Sequence, residues 1–130
     1  MENIEKIIST DPSGEINDIN DLTFEALFAE KSDAIDQCDD STERSRLMLE
    51  LAKMCVECKH ERKAISLYRD ILRFGGAAAY QKDKESPRAR FALQAYEDIQ
   101  ELANSSDEYV WEVAIQILSE NRMYFQQQSR

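Results

Sequence analysis

Apolar residues recur along most of this chain at the three- to four-residue spacing of an amphipathic α-helix. The pattern predicts a short helix over residues 2–9, then a turn-rich loop over 11–18, and then a helix from about Asp21 to about Cys38. Asp21 is a suitable cap because its carboxylate can accept hydrogen bonds from the first backbone N–H groups. Residues 1–19 are therefore interpreted as a short helix followed by a flexible arm.

A first helical hairpin is predicted over residues 41–74. Its first helix follows Asp40, and Glu43 three residues later completes the pattern of a capped start. Two apolar stripes run along this helix, so we expect it to be covered on both sides and to lie at the centre. The second helix should end at Gly75-Gly76, because glycine readily takes the left-handed conformation that stops a helix. The expected core positions of the hairpin are Leu47, Met48, Leu51, Ala52, Met54, Cys55, Val56, Cys58, Ala64, Ile65, Tyr68, Ile71 and Leu72.

A second hairpin is predicted over residues 86–125. Ser86-Pro87 is a start signal, because serine can cap a helix and proline at the first helical position loses no hydrogen bond. Ser105 and Glu108 have the spacing of a capping box before the last helix. Between the hairpins, residues 77–85 predict a polar connector with room for one helical turn. The expected core positions are Ala92, Ala95, Tyr96, Ile99, Leu102, Ala103, Val110, Trp111, Ala114, Ile115, Ile117 and Leu118.

The two hairpins share short sequence matches, which indicate a repeated architecture. Residues 44–49 read RSRLML and residues 88–93 read RARFAL, and an Ile-Leu pair recurs at 71–72 and 117–118. The chain has only 3 Gly and 2 Pro, which disfavours a β-sandwich or barrel with its many tight turns. The predicted fold is all-α: one domain over residues 1–130, with five to six helices. Its two tandem antiparallel hairpins would stack as an α-α superhelix or irregular bundle.

Six positions of the first hairpin carry a further pattern: Met48, Leu51, Ala52, Cys55, Ala64 and Tyr68. Their spacing resembles that of a tetratricopeptide repeat, and the match covers about one repeat. Met48 and Cys55 stand where the family has aromatic residues, and Gly76 stands where it has proline. The resemblance implies stacked helical hairpins and a protein-binding function.

The formal net charge of −10 is unevenly distributed along the chain. Residues 1–43 carry a net charge of −11, residues 44–90 of +6, and residues 91–130 of −5. Such acidity disfavours nucleic-acid binding, which depends on a basic surface. The basic segment is either a solvated face offset by its acidic flanks or a docking surface for an acidic partner. Its candidate partner-binding residues are Arg44, Arg46, Arg62, Lys63, Arg69, Arg73, Lys82, Lys84, Arg88 and Arg90.

The sequence offers little support for catalysis or metal binding. Cys55, Cys58 and His60 need a fourth ligand for a structural zinc site, and Cys38 is the only remaining cysteine. Because cysteines on an apolar helix face are typical buried residues, we expect no metal and no other cofactor. A single histidine cannot complete a di-iron site, and no glycine-rich phosphate loop is present. We therefore expect no catalytic residues and no enzymatic activity.

The start of the chain carries acidic residues where a signal peptide needs basic ones, and no apolar stretch is long enough to span a membrane. These features predict a cytoplasmic protein with free thiols that does not bind membranes.

The function that these features favour is a non-enzymatic protein–protein interaction module, either an adaptor or a chaperone for one partner. Its partner would be another protein or peptide, and the basic segment favours an acidic one. The chain itself would be a monomer or a weak homodimer. The alternative is an acidic inhibitor or immunity-type protein that blocks a basic active site or mimics nucleic acid. Scattered acidic side chains would favour the adaptor, whereas one continuous acidic patch over residues 11–43 would favour the inhibitor.

Overall fold

A computed structural model describes residues 15–126, with side-chain surroundings for residues 22–125. The helix predicted over residues 2–9 lies outside this range, as do residues 11–14 of the predicted loop. Within residues 15–126 the chain forms helices and no strand, which confirms the all-α class. None of these helices is long and apolar enough to cross a membrane. The six α-helices of this range are α1 Glu15–Asp36, α2 Ser41–Glu57, α3 Glu61–Ile71, α4 Ala77–Lys82, α5 Pro87–Leu102 and α6 Glu108–Gln126.

The chain divides between Asp36 and Gln37 into two compact units. In the first unit, α1 begins at Glu15, so the loop predicted over residues 11–18 is wrong for residues 15–18. Asp21 lies inside the helix and not at its cap. Neither Gly nor Pro occurs after Gly14 in this stretch, so no residue there breaks the helix before it reaches Asp36.

The apolar face of α1 is only partly covered. Phe24 and Ile35 are buried, and the ring centroids of Phe24 and Phe28 lie 5.6 Å apart. Leu27, which is three residues after Phe24, is 40% exposed.

In the second unit, the hairpin of α2 and α3 forms as predicted. The Asp40 carboxylate caps α2 by accepting a hydrogen bond from the backbone N–H of Glu43 at 2.9 Å. A tight turn over residues 58–60 reverses the chain, and Lys59 takes a left-handed conformation there with φ of 69°. All five expected core residues of the second helix are buried: Ala64, Ile65, Tyr68, Ile71 and Leu72.

The burial pattern of α2 differs from the predicted pair of stripes. Leu51 and Cys55 are fully buried, but Cys58 ends the helix and is exposed. Leu49 and Ser45, which the pattern left out, are buried. Leu47, Met54 and Val56 are half-buried.

Helix α5, and not α2, is the central element of the second unit. It packs against α2, α3, α4 and α6. Three alanines, Ala89, Ala92 and Ala95, are fully buried along it, and such small side chains let neighbouring helices approach closely. The expected cap of α5 is confirmed, since the Ser86 hydroxyl accepts from the Ala89 backbone N–H at 3.2 Å and Pro87 is the first helical residue.

A wide turn over Leu72–Gly76 connects α3 to α4. The backbone leaves helical geometry at Phe74 and Gly75, and Gly75 has φ of 113°. The kink falls at Gly75, as predicted, but α3 itself ends at Ile71 and Gly76 keeps a helical backbone. A Cβ atom on Gly76 would lie 2.3 Å from the carbonyl oxygen of Ile71, so the close approach at that position requires glycine. The predicted polar connector begins with the short helix α4, whose Tyr80 is buried against Phe125 at 4.6 Å between ring centroids.

The start of α6 differs from the predicted capping box. Asp107, and not Ser105, accepts the backbone N–H of Tyr109, at 3.0 Å. The Ser105 hydroxyl instead donates to the Glu61 carboxylate at 2.5 Å, and it accepts the backbone N–H of Asp107. Ser105, the predicted cap of α6, is therefore hydrogen-bonded to a carboxylate of α3 instead.

Replacing Leu51 by Ala should destabilise the second unit. Its side chain is fully buried, and truncating such a leucine costs about 2–5 kcal/mol of unfolding free energy. The measurement is urea denaturation followed by circular dichroism. Leu22→Ala is the matched control, because Leu22 is 73% exposed and should change the unfolding free energy little. Equal losses in the two variants would contradict this packing.

Candidate partner-binding surface

The structure divides the ten basic candidate residues between the two ends of the first hairpin. Helices α2 and α3 run in opposite directions, so the first turn of α3 lies beside the end of α2. Arg62 and Lys63 belong to that first turn, whereas Arg69 lies in the last turn of α3 and Arg73 in the turn that follows it. Arg62 and Arg69 are separated by about 10 Å along the axis of α3 at 1.5 Å per residue, and Arg73 lies beyond its last residue. The candidates therefore do not form one continuous band.

Arg62 is engaged within the chain. Its guanidinium donates two hydrogen bonds to the Asp107 carboxylate, at 2.8 and 3.2 Å, and stacks over the Tyr109 ring with its carbon 4.9 Å from the centroid. These hydrogen bonds hold the pKa of Asp107 below its usual value and raise the pKa of Arg62. The pair links the first turn of α3 to the turn before α6. An open groove of about 600 Å³ lies beside it, and Lys59 and His60 also line it.

The two arginines of α2 are also engaged. Arg46 forms ion pairs along its own helix with Glu43 and Glu50, and hydrogen bonding to Arg46 lowers the pKa of Glu43. Arg44 donates to the backbone carbonyl of Cys38 at 3.1 Å. Arg46 is therefore paired with carboxylates of its own helix, and Arg44 is hydrogen-bonded to the backbone just before α2.

Between the end of α3 and the first turn of α5 lie six residues that we call the cationic surface: Arg73, Phe74, Lys82, Lys84, Arg88 and Arg90. Arg88 links α5 to the wide turn, because its guanidinium donates a hydrogen bond to the Phe74 carbonyl oxygen at 2.6 Å. A Cβ atom on Gly75 would lie 2.4 Å from Nη2 of Arg88. A side chain at position 75 would therefore displace the guanidinium from the turn, and the φ of 113° would strain any residue other than glycine.

Three cations of this surface, Arg73, Lys82 and Lys84, are exposed and form no ion pair with residues 22–125. Arg90 reaches Glu85 at 3.4 Å, but both side chains are largely in water, and such pairs contribute about 0–1 kcal/mol. Phe74, which follows Arg73 in the chain, is 67% exposed. The sequence predicted Phe74 as the last residue of a helix and did not indicate that its side chain is exposed.

Arg69 lies at the edge of this region and is half-buried. Its Nε atom is 4.0 Å from the Asp70 carboxylate and has no hydrogen-bond partner. Burial raises the pKa of Asp70, while Arg69 and Arg73 oppose that effect. Arg69 is therefore less accessible than the three exposed cations.

A groove that sequence analysis did not foresee lies between α2, α3 and α5. It holds about 310 Å³, and its lining includes Lys53, Glu57, Glu61, Asp98 and Glu101 around the buried Tyr68. Lys53 Nζ lies 3.7 Å from Oδ2 of Asp98, which has no hydrogen-bond partner. Burial raises the pKa of Tyr68, and the neighbouring Asp98 carboxylate raises it further. The carboxylates come from three helices, so no local sequence pattern could reveal them.

The cysteines occupy three different environments. Cys55 is buried, Cys38 is half-buried and Cys58 is exposed, and none forms a disulfide. Among the described residues, no three His, Cys, Asp or Glu side chains are grouped so that they could hold a metal ion. The expectation that both Cys55 and Cys58 lie in the core is wrong for Cys58, because the helix ends at Glu57.

The aromatic residues also divide between core and surface. Tyr80, Tyr96 and Phe125 form a buried cluster, in which the rings of Tyr96 and Phe125 stack at 4.4 Å. Trp111 was predicted in the core, but it is 37% exposed on α6. The same correction applies to Ile115, which is 46% exposed.

Comparisons with known proteins identify no relative of this chain. No family model matches the chain, and neither the curated proteins nor the solved structures contain a significant match.

Removing the charge of Arg62 should raise the pKa of Asp107 toward its usual value. The Asp107 carboxylate has a depressed pKa in the folded chain, so the pair stabilises the fold above the unfolded pKa and loses this effect as pH falls through the folded pKa. The stability difference between wild type and Arg62→Gln should therefore close in acid. NMR titration of Asp107 in both proteins measures the shift. Arg90→Gln is the control, and an unchanged Asp107 pKa in Arg62→Gln would refute the pairing.

Proposed function

We propose that this chain is a non-enzymatic protein–protein interaction module, an adaptor or chaperone that binds an acidic segment of another protein through the cationic surface. The observation that carries the proposal is the 67% exposure of Phe74 next to Arg73 in the chain, together with three exposed cations, Arg73, Lys82 and Lys84, that form no ion pair within residues 22–125. An aromatic side chain in water beside unpaired positive charges fits an interface better than a solvated face.

The chemistry of the surface indicates the kind of ligand. Aromatic and arginine side chains supply a large share of binding energy in protein interfaces. Unpaired cations attract acidic ligands from a distance and orient them, which mainly raises the association rate. The ligand that fits best carries Asp or Glu residues on both sides of an apolar residue that can cover Phe74.

A protein ligand fits this surface better than nucleic acid. A net charge of −10 opposes a long polyanion, whereas a short acidic peptide needs to approach only the cationic surface. A cytoplasmic location belongs to the same proposal, because the exposed Cys58 thiol would stay reduced there.

The packing order of the helices supports a repeat of tetratricopeptide type. Helix α2 packs on α3 and on α5, and α5 packs on α6, so the first helices of the two hairpins touch each other as well as their own partners. Stacked hairpins of this kind present extended surfaces for binding other proteins. The short helix α4 between the hairpins departs from the simple repeat and carries Lys82 of the cationic surface.

Reversing the three unpaired cations tests the proposal. The variant Arg73→Glu/Lys82→Glu/Lys84→Glu should bind a fluorescent peptide of Asp and Glu residues around one central leucine at least about tenfold more weakly, a loss of 1.4 kcal/mol or more. Fluorescence anisotropy at rising salt measures the affinity. Arg88 is left unchanged because it holds the turn.

The matched control is Lys31→Glu/Lys53→Glu/Lys59→Glu, which changes the net charge equally at exposed positions outside the cationic surface and outside α6. It should lose far less affinity. Equal losses in the two triple variants would mean that only net charge matters, and no binding by wild type would reject the acidic ligand. Preferential binding of a basic peptide would favour the acidic-inhibitor alternative.

A further inference from the structure

Helix α6 carries an apolar stripe that its own unit leaves partly uncovered. Trp111, Ile115 and Leu118 are spaced by four and three residues, so they lie along one face of the helix. Trp111 is 37% exposed and Ile115 is 46% exposed, while Leu118 is half-buried. The stripe borders the buried face of Val110, Ala114 and Ile117, so it extends the core outward along one edge of α6.

The charges on this face are arranged symmetrically about Ile115. Glu108 precedes it by seven residues and Arg122 follows it by seven, which is close to two helical turns in each direction. Both charged side chains therefore share the face of the apolar stripe. Each is exposed, and neither forms an ion pair with residues 22–125.

We propose that this face binds a second copy of the same chain, with the two α6 helices antiparallel and crossing at Ile115. In such a two-fold arrangement, each contact occurs twice. Ile115 meets Ile115 of the second copy, Trp111 lies beside its Leu118, and Glu108 faces its Arg122. The distance from Ile115 to either charge is about 10 Å along the helix, so both ion pairs form in the same register.

The dimer is weak and reversible, because a single helix face with three apolar residues buries less than the roughly 1,200 Å² of standard stable interfaces. The α6 face shares no residue with the cationic surface. Loss of dimerisation and loss of acidic-peptide binding are therefore separable outcomes.

Charge reversal on the full-length chain tests the pairing directly. Sedimentation equilibrium should show concentration-dependent dimers for wild type, and Glu108→Arg or Arg122→Glu alone should reduce the association constant by about tenfold, equivalent to 1.4 kcal/mol. An equimolar mixture of the two variants should recover association, because each copy then offers the charge that the other needs. Failure of the mixture to recover, with both variants folded by circular dichroism, would overturn the register.

A second measurement tests the apolar part of the face. Trp111 is the single tryptophan of the chain, so its fluorescence should shift to shorter wavelength as wild type dimerises. Ile115→Asp should abolish the concentration dependence. Met123→Asp is the control, since Met123 is 69% exposed and lies off the stripe. A wild type that stays monomeric at millimolar concentration, or an Ile115→Asp variant that associates like Met123→Asp, would overturn the proposal.

Discussion

The hydrogen bond from Arg88 to the carbonyl oxygen of Phe74 holds the first turn of α5 against the wide turn over Leu72–Gly76. The proposed function depends on this turn, because it presents Phe74. Gly75 makes this contact feasible, because its left-handed backbone turns the chain and a side chain there would occupy the space of the guanidinium. The turn then sends α4 and α5 back across α3 and leaves Phe74 in water. The Arg88–Phe74 hydrogen bond therefore holds α5 in place and at the same time keeps the turn in the conformation that exposes Phe74.

The positive charges of the middle segment serve different purposes according to their position along the hairpins. Arg46 and Arg62 neutralise carboxylates that also begin helices, Glu43 in the first turn of α2 and Asp107 before α6. Arg73, Lys82 and Lys84 form no ion pair within residues 22–125. A segment with a net charge of +6 in sequence therefore contains both cations paired with carboxylates and cations that form no ion pair within residues 22–125.

Local signals predicted much of the fold, and contacts between distant residues explain the errors. The starts of α2 and α5 depend on Asp40 and Ser86-Pro87, which act within one helical turn, so the sequence was sufficient there. Ser105 failed as a cap because Glu61, 44 residues away, accepts its hydroxyl. The candidate cations could be named from the sequence, but their division into two ends could not, because it depends on how the hairpin folds back. Phe74 gave no signal, since an apolar residue at a helix end is normally expected to be buried.

Mapping an acidic peptide onto the isotope-labelled chain by two-dimensional NMR tests the central claim most directly. If the cationic surface is the binding site, the amide shifts should be confined to residues 73–90 and should fade as salt rises, because exposed charges are screened over about 8–10 Å at physiological ionic strength. Shifts centred on Arg62 and the groove beside Lys59, or spread evenly over the chain, would contradict the claim that the turn at Gly75 builds the partner-binding surface.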